Sequence, residues 1–147
     1  MKMKFYLAHP LKARHEIRAQ ELQFEKNTGI ELVNPFYDPK GESHEREDIK
    51  ALDAATRTAW SGQLDYVRIV EDDVHAIDSC DGTVGWVEKT VSTVGTYMEL
   101  WDTYLKGKPV YIITPDWANH PWLKYIAVRS NGGIFSSFSE LEKHFKK

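Results

Sequence analysis

Short apolar runs alternate with helix-like segments along this chain of 147 residues, and this alternation limits the fold more than any other feature. The run Val110-Tyr111-Ile112-Ile113 is continuously apolar, which is typical of a strand buried on both faces of a sheet. Helical patterns separate the runs, as they do where crossover helices connect parallel strands. The sequence therefore predicts four or five mostly parallel strands in an open, doubly wound sheet, with ligands at the carboxyl ends of the strands.

Glycine, proline and hydrophobic periodicity give the approximate bounds of the predicted elements. Strands are predicted at residues 5–8, 30–33, within 77–87, at 110–113 and near 125–128. Helices are predicted at about 11–27, over 44–77 with a break near Ser61-Gly62, over 94–105, and at about 137–145. Two prolines make residues 34–41 a loop.

The helix over residues 94–105 has the clearest pattern. Its apolar residues recur at helical spacing and are expected to face the core: Val94, Tyr97, Met98, Trp101, Tyr104 and Leu105. Glu99 falls just off this stripe, so we expect it to border the core, with its ionised form favoured by the nearby positive end of the helix dipole. A partly buried anion of this kind suits attack on an anomeric carbon. On spacing alone, an ordinary helix-dipole role for Glu99 is the alternative.

Composition excludes several classes of function. The net charge is −3 and no basic stripe runs along a helix, which argues against nucleic acid and anionic membrane as partners. No apolar run approaches the length needed to cross a bilayer, and the first residues lead into a strand without a signal-peptide pattern. The single cysteine, Cys80, is expected to be a small buried residue and fits a reducing cytoplasm. The six histidines show no ligand spacing, so we expect no metal and no cofactor.

Three features lie at predicted strand ends or helix starts. They are Tyr6 with His9-Pro10, the acidic group Glu71-Asp72-Asp73 ahead of the strand that contains Asp81, and Gly95-Thr96 with Glu99. Asp73 and Glu99 together suit glycoside chemistry, in which one carboxyl is the acid and the other the nucleophile. Solvated helix-end charges or caps are the alternative for Asp72 and Asp73.

The order and spacing of these motifs resemble a known family. Glu71-Asp72-Asp73-Val74-His75-Ala76-Ile77, Asp81, Val94-Gly95-Thr96-Tyr97-Met98-Glu99-Leu100 and Lys106-Gly107-Lys108-Pro109-Val110 look like the core of the nucleoside 2-deoxyribosyltransferases. The match covers about a third of the chain, from roughly Asp72 to Asp116. It implies a single flavodoxin-like domain over residues 1–147, with about five mostly parallel strands and helices on both faces.

The resemblance also implies roles for individual residues. Glu99 matches the nucleophile that forms a covalent deoxyribosyl ester, Asp73 the aspartate that helps to protonate the leaving base, and Tyr6 a tyrosine that hydrogen-bonds around the nucleophile. Asn131 resembles an asparagine that a neighbouring subunit contributes, so a dimer-based homo-oligomer is expected. The expected ligands are a nucleoside and a free nucleobase, in nucleotide salvage. Substrate contacts are also expected from Phe36, Thr93, Gly95 and Thr96. Thr93 stands where many members have an acid, which leaves base range and sugar preference open.

Two other functions remain as alternatives. One is an N-glycosidase acting on nucleoside 5′-monophosphates, with Lys12, Arg14 and Arg18 near the phosphate. The loop before them has no glycine, so a solvated helix face is the preferred interpretation of these charges. The other is a nucleotide sensor or sponge that binds without cleavage. At most one of four tryptophans is expected to stack on a base: Trp60, Trp86, Trp117 or Trp122.

Overall fold

The computed structural model describes residues 2–10, 13–37, 66–91 and 94–146. Its strands are β1 (Lys4–Ala8), β2 (Glu31–Val33), β3 (Gly82–Trp86), β4 (Val110–Ile113) and β5 (Gly133–Phe135). Its helices are α1 (Arg14–Thr28), α2 (Tyr66–Asp78), α3 (Val94–Leu105), α4 (Pro121–Arg129) and α5 (Phe138–Phe145).

The five strands form one parallel sheet in the order β2-β1-β3-β4-β5. This is the flavodoxin-like order, so the predicted fold class is confirmed. The chain moves outward from β1 to β2 on one side and from β3 to β5 on the other. The sheet therefore has its topological switch point between β1 and β3, where such folds form a crevice.

Helices cover both faces of the sheet, and alternate residues of β1 show how. Phe5 and Leu7 join a buried cluster with α1 and α5. Tyr6 and Ala8 point to the other face, into a cluster that includes residues of α2, α3 and α4. Tyr6 is therefore placed by strand alternation on the face that carries α3.

The prediction of a strand near residues 125–128 is wrong, because these residues belong to α4. Leu123, Ile126 and Ala127 are buried at helical spacing, while Tyr125 and Val128 are exposed. The apolar run at 125–128 therefore combines two residues of the buried helix face with two exposed apolar residues. The last strand is β5, which is only three residues long. Gly132 lets it approach β4, since a Cβ there would lie 1.8 Å from the Val110 carbonyl oxygen.

The predicted helix over residues 94–105 exists, and Tyr97, Trp101 and Tyr104 of its expected core face pack against the core, but the other half of that face does not. Val94, Met98 and Leu105 are 70%, 63% and 65% exposed. The buried residues of α3 are instead Thr96, Leu100 and Thr103. Two of these three buried residues are threonines. A stripe defined by apolar residues alone is therefore displaced around the helix axis from the face that is buried. Glu99 follows Thr96 by three positions and precedes Thr103 by four, which places it on the side that meets the sheet.

The remaining predictions hold with small shifts at the ends. α1 ends at Gly29 with a left-handed φ of 74°, as the predicted glycine stop requires. Of the long helical segment predicted over 44–77, α2 accounts for the C-terminal part. Its start and the break near Ser61-Gly62 lie outside the described residues, as do Trp60 and residues 38–41 of the predicted loop. Within the described ranges, no helix is both long and apolar enough to cross a membrane.

Candidate active site

Three side chains from three elements meet at the crevice between β1 and β3. Tyr6 on β1 is fully buried, and its hydroxyl donates a hydrogen bond to Oε2 of Glu99 on α3. The side chain of Asp73 on α2 is also hydrogen-bonded to the Glu99 carboxyl. Of the three residues that the resemblance places in the catalytic machinery, Tyr6 and Asp73 thus both contact Glu99.

The electrostatics of this group differ from the expectation for Glu99. The pKa of its carboxyl is raised to about 8, first by burial and then by the negative charge of Asp73 and the hydrogen bond with it, while the hydrogen bond from the Tyr6 hydroxyl lowers it. The expectation that the helix dipole favours the ionised form is wrong. Glu99 lies in the second turn of α3, beyond the first turn where the dipole acts strongly, so desolvation and the neighbouring acid dominate.

The two carboxyls therefore behave as a unit. Because two adjacent acids in a desolvated place cannot both ionise easily, Glu99 and Asp73 together keep a proton near neutral pH. Such a pair contains both an acid and a potential nucleophile. This is the combination that cleavage of a glycosidic bond needs.

The first turn of α3 contains the predicted substrate contacts Gly95 and Thr96. Gly95 is exposed, and a Cβ on it would meet open space. Thr96 is buried, and its hydroxyl has no hydrogen-bond partner among the described residues. Buried hydroxyls rarely stay unpaired, so Thr96 is a candidate for contact with a ligand. Thr93 lies outside the described residues.

Phe36 and Asn131 occupy opposite edges of the sheet. Phe36 follows β2 at the carboxyl edge and packs edge-on against the His9 ring, with ring centroids 4.8 Å apart. Asn131 is exposed and has a left-handed φ of 65°, in the turn just before β5. That turn is at the amino edge of the sheet, so this asparagine lies away from the site of its own chain.

Asp73 also lines a cleft of about 510 Å³ beside the edge strand β2. The cleft runs between α1 and α2, and its polar or aromatic walls include Arg18, Asn34, Tyr37 and Arg68. A cleft of this size accommodates a small ligand. Asp73 therefore borders both the Glu99 carboxyl and a space that a ligand can enter.

A second polar cluster, around the buried Glu21, forms part of the wall of this cleft and was not predicted from the sequence. Glu21 is fully buried; its Oε1 accepts from Nδ2 of Asn34 at 2.8 Å and pairs with Arg18 at 3.1 Å. The Arg18 guanidinium also lies 3.9 Å from the centre of the Tyr37 ring. The solvated-face interpretation is therefore wrong for Arg18. Lys12 lies outside the described residues.

His9, at the end of β1, borders the same cluster. Burial lowers the pKa of its imidazole to about 4, so the ring is neutral at physiological pH. Nδ1 lies 3.0 Å from the Pro10 carbonyl oxygen, which fixes the ring against the loop that starts α1. Phe36 and His9 thus form a neutral, largely apolar wall at the carboxyl edge of β1 and β2.

Three of the four candidate tryptophans are described. Trp86 is buried and stacks on Phe138, on the α1 and α5 face of the sheet, so it is a core residue. Trp117 and Trp122 line an apolar groove of about 450 Å³ between α3 and α4. That groove lies on the side of α3 away from α2, and Asp73 does not line it.

Other residues of the family-like motif have structural roles. Asp81 lies at the amino edge and accepts a hydrogen bond from the Lys4 backbone at 2.9 Å. Lys108 donates to the carbonyl oxygens of Ile77, Asp78 and Cys80 at 3.0, 2.8 and 2.8 Å, closing the end of α2. Cys80 is buried as expected, and burial raises the pKa of its thiol. No cluster with the composition of a metal site occurs within the described ranges.

No family model matches the chain, and no curated protein matches its sequence. Solved structures do share its fold. A 2-deoxyribosyltransferase from the psychrotolerant bacterium Bacillus psychrosaccharolyticus has a TM-score of 0.64 at 17% identity, over 95% of this chain and 90% of that one. A conserved protein from Enterococcus faecalis V583 has a TM-score of 0.65 at 20% identity, over 99% and 98%.

A third structure with this fold is a CMP N-glycosidase from Clostridium botulinum. Its TM-score is 0.55 at 20% identity, over 97% of this chain and 98% of that one. The fold is thus one that a deoxyribosyltransferase and an N-glycosidase both use. The resemblance noted in the sequence is confirmed at the level of the fold.

Proposed function

We propose that this protein is a nucleoside 2-deoxyribosyltransferase, which exchanges the base of a 2′-deoxynucleoside through a covalent ester on Glu99. The observation that carries the proposal is the contact of Glu99 with both Asp73 and the Tyr6 hydroxyl. A structural role alone would favour a cation beside a buried carboxyl, and here a second acid occupies that place.

The first half-reaction uses the proton that the carboxyl pair keeps, which passes from Glu99 to Asp73 before the attack. An oxygen of ionised Glu99 attacks C1′ and forms the ester bond as the C1′–N bond breaks. The electron pair of that bond goes to the base nitrogen, and the proton reaches the base from Asp73. Tyr6 orients the attacking carboxylate through its hydrogen bond.

The second half-reaction reverses these steps with another base. A nitrogen of the incoming base attacks C1′, the ester bond breaks, and Glu99 leaves as a carboxylate. Asp73 takes the proton that the incoming nitrogen loses. Two displacements retain the configuration at C1′, and water in place of the base gives hydrolysis.

The cleft beside β2 supports this assignment of roles. Asp73 lines it, so a base within the cleft has the acid next to it and Glu99 beyond. Contacts from Phe36 and from Gly95 and Thr96 in the first turn of α3 complete the proposed site, and Thr93, outside the described residues, stays a proposed contact. Arg18 is already engaged by Glu21 and Tyr37, which favours a nucleoside over a 5′-monophosphate.

Base exchange tests the proposal directly. The protein is mixed with a 2′-deoxynucleoside and a different free base, and the products are separated by liquid chromatography. We expect the new nucleoside to form, and Glu99→Gln to abolish its formation. Free base without new nucleoside would indicate an N-glycosidase, and a parallel assay with the 5′-monophosphate identifies that alternative. Binding without turnover of either substrate would contradict the proposal and favour the sensor.

We further propose a single domain that works in nucleotide salvage as a dimer-based homo-oligomer in the cytoplasm. The lone buried cysteine is compatible with a reducing compartment. Asn131 is exposed at the amino edge, so any role at a sugar pocket has to be in a neighbouring copy. Light scattering on a size-exclusion column measures the oligomer, and a monomer at working concentration would contradict this part.

A further inference from the structure

We propose that the buried hydroxyl pair Thr83–Thr103 is a positioning device, which fixes the register of α3 on the sheet so that the Glu99 carboxyl meets Tyr6. The inference rests on the proposed function and deepens it. It concerns two residues that contact no reacting group themselves and act through the placement of Glu99.

The contact geometry forms two adjacent rungs between the sheet and the helix. Tyr6 on β1 is the register partner of Thr83 on β3, so their side chains stand next to each other on the same face. Thr103 follows Glu99 by one helical turn. One rung is Tyr6 with Glu99, and the other is Thr83 with Thr103, whose hydroxyl oxygens lie 2.6 Å apart.

The direction of the hydrogen bonds follows from counting protons. The Thr103 hydroxyl donates its only proton to the backbone carbonyl of Glu99 at 2.8 Å. The Thr83 hydroxyl is therefore the donor in the contact between the threonines. A continuous chain runs from β3 through Thr103 to the backbone of the residue that we propose as the nucleophile.

The surroundings explain why this chain sets the register. Both threonines are fully buried, and a hydroxyl that lost its partner there would find no water. Next to them, α3 lies so close to β3 that a Cβ on Gly85 would be 2.5 Å from the Leu100 side chain. Apolar packing of Leu100 resists lifting of the helix but has no directional preference along the sheet. The hydroxyl pair supplies that preference.

Valine has nearly the shape of threonine but no hydroxyl, so Thr103→Val tests the device. We expect kcat for base exchange to fall about tenfold, the effect of losing one hydrogen bond that positions Glu99. KM should be nearly unchanged. We expect the pKa of Glu99 to rise, since the Tyr6 hydroxyl that lowers it is then less well placed. Thr103→Ser should restore both values, because it restores the hydroxyl.

The control is Thr114→Val. Thr114 is another buried threonine, at the end of β4, where its hydroxyl accepts from the Trp117 backbone at 3.0 Å. The chemical change is the same, but the Thr114 hydroxyl bonds the Trp117 backbone and not the Thr83–Thr103 pair. We therefore expect Glu99 to titrate as in the wild type. Thr83→Val is the second test variant, because it removes the donor and leaves the bond from Thr103 to the Glu99 carbonyl.

The deciding readout is the titration of Glu99 in the ligand-free protein, followed by ¹³C NMR of labelled glutamate with Glu99→Gln as the assignment control. A raised pKa in Thr103→Val and Thr83→Val, with wild-type values in Thr103→Ser and Thr114→Val, supports the proposal. Wild-type titration in both test variants, or an equal shift in Thr114→Val, would overturn it. The titration needs no turnover, so absence of base exchange by the wild type would refute the proposed function while the positioning result stands by itself.

Discussion

Two glutamates of this protein, the partly buried Glu99 and the fully buried Glu21, are alike in one respect and opposite in another. Burial is the first cause of a raised pKa for both carboxyls. Glu21 has a guanidinium and an amide beside it, from Arg18 and Asn34, and both lower its pKa. Glu99 has another acid, Asp73, which raises its pKa further.

The difference separates a structural carboxyl from a chemical one. A cation and an amide offset part of the loss of water at Glu21, although its Oε2 has no hydrogen-bond partner among the described residues. The cluster connects α1 to the turn after β2. Nothing comparable compensates Glu99 in the described contacts: only the Tyr6 hydroxyl favours its charge. The burial of Glu99 beside another acid therefore destabilises the folded state. Such destabilising arrangements are common at functional sites.

Matched substitutions should give the largest contrast. Glu99→Gln keeps the shape but removes the nucleophile, so we expect turnover to fall at least about 10³-fold. Glu21→Gln is the same change in the other cluster and should leave turnover close to the wild-type rate. Initial rates of base exchange measure both. Equal losses in the two variants would mean that the carboxyls do not differ in role.

Truncation of Glu21 should instead be costly for stability. Glu21→Ala leaves the Arg18 charge and the Asn34 amide without their buried acceptor, so we expect a loss of about 3 kcal/mol in the free energy of unfolding. Urea denaturation monitored by tryptophan fluorescence gives this value. An unchanged midpoint would show that the Glu21 cluster does not stabilise the fold.

Tyr6→Phe tests the remaining support of Glu99. The variant removes one hydrogen bond to a carboxylate and little volume, so we expect kcat to fall about 10- to 100-fold. The pKa of Glu99 should rise, because the hydroxyl lowers it. Rates and the NMR titration check the two effects, and a wild-type rate would remove Tyr6 from the mechanism.

The dependence of stability on pH gives the smallest of the four effects. The pKa of Glu99 is about 8 in the folded protein, against 4.5 when unperturbed, so between these values the folded state binds more protons than the unfolded state. Stability is therefore lost as pH rises through this window. Relative to Glu99→Gln, the wild type should lose about 2 kcal/mol between pH 5 and pH 7. Parallel denaturation curves for the two proteins at both pH values measure it, and a constant difference would contradict the raised pKa.

The sequence predicted the parts of the site that local motifs encode. The acidic end of α2, the Gly95-Thr96 start of α3 and the glycine and proline after it were visible as residues in order. The direction of the Glu99 pKa shift could not be predicted in this way, because it depends on the packing of α2 beside α3 and on the distance of Glu99 from the start of the helix.

Two other features were not predicted: the polar contact between Glu21 and Asn34, and the buried threonines of α3. Glu21 and Asn34 are thirteen positions apart and look like ordinary polar residues until β2 packs beside α1. The buried face of α3 was misjudged because threonine counts as polar in a hydrophobic pattern, although Thr96 and Thr103 are buried. The error at residues 125–128 came from interpreting four apolar residues of a helix as a strand.

Trapping the covalent intermediate tests the central claim most directly. In a 2′-deoxynucleoside with fluorine at C2′, the fluorine destabilises the positive charge that develops at C1′ in the transition state. Breakdown of the ester on the enzyme is then slow, so the ester should persist long enough to isolate. Mass spectrometry of the digested protein should find the sugar on the peptide that contains Glu99, and no adduct in Glu99→Gln. Turnover of deoxynucleosides with the sugar on another residue, or with no adduct at all, would contradict the account.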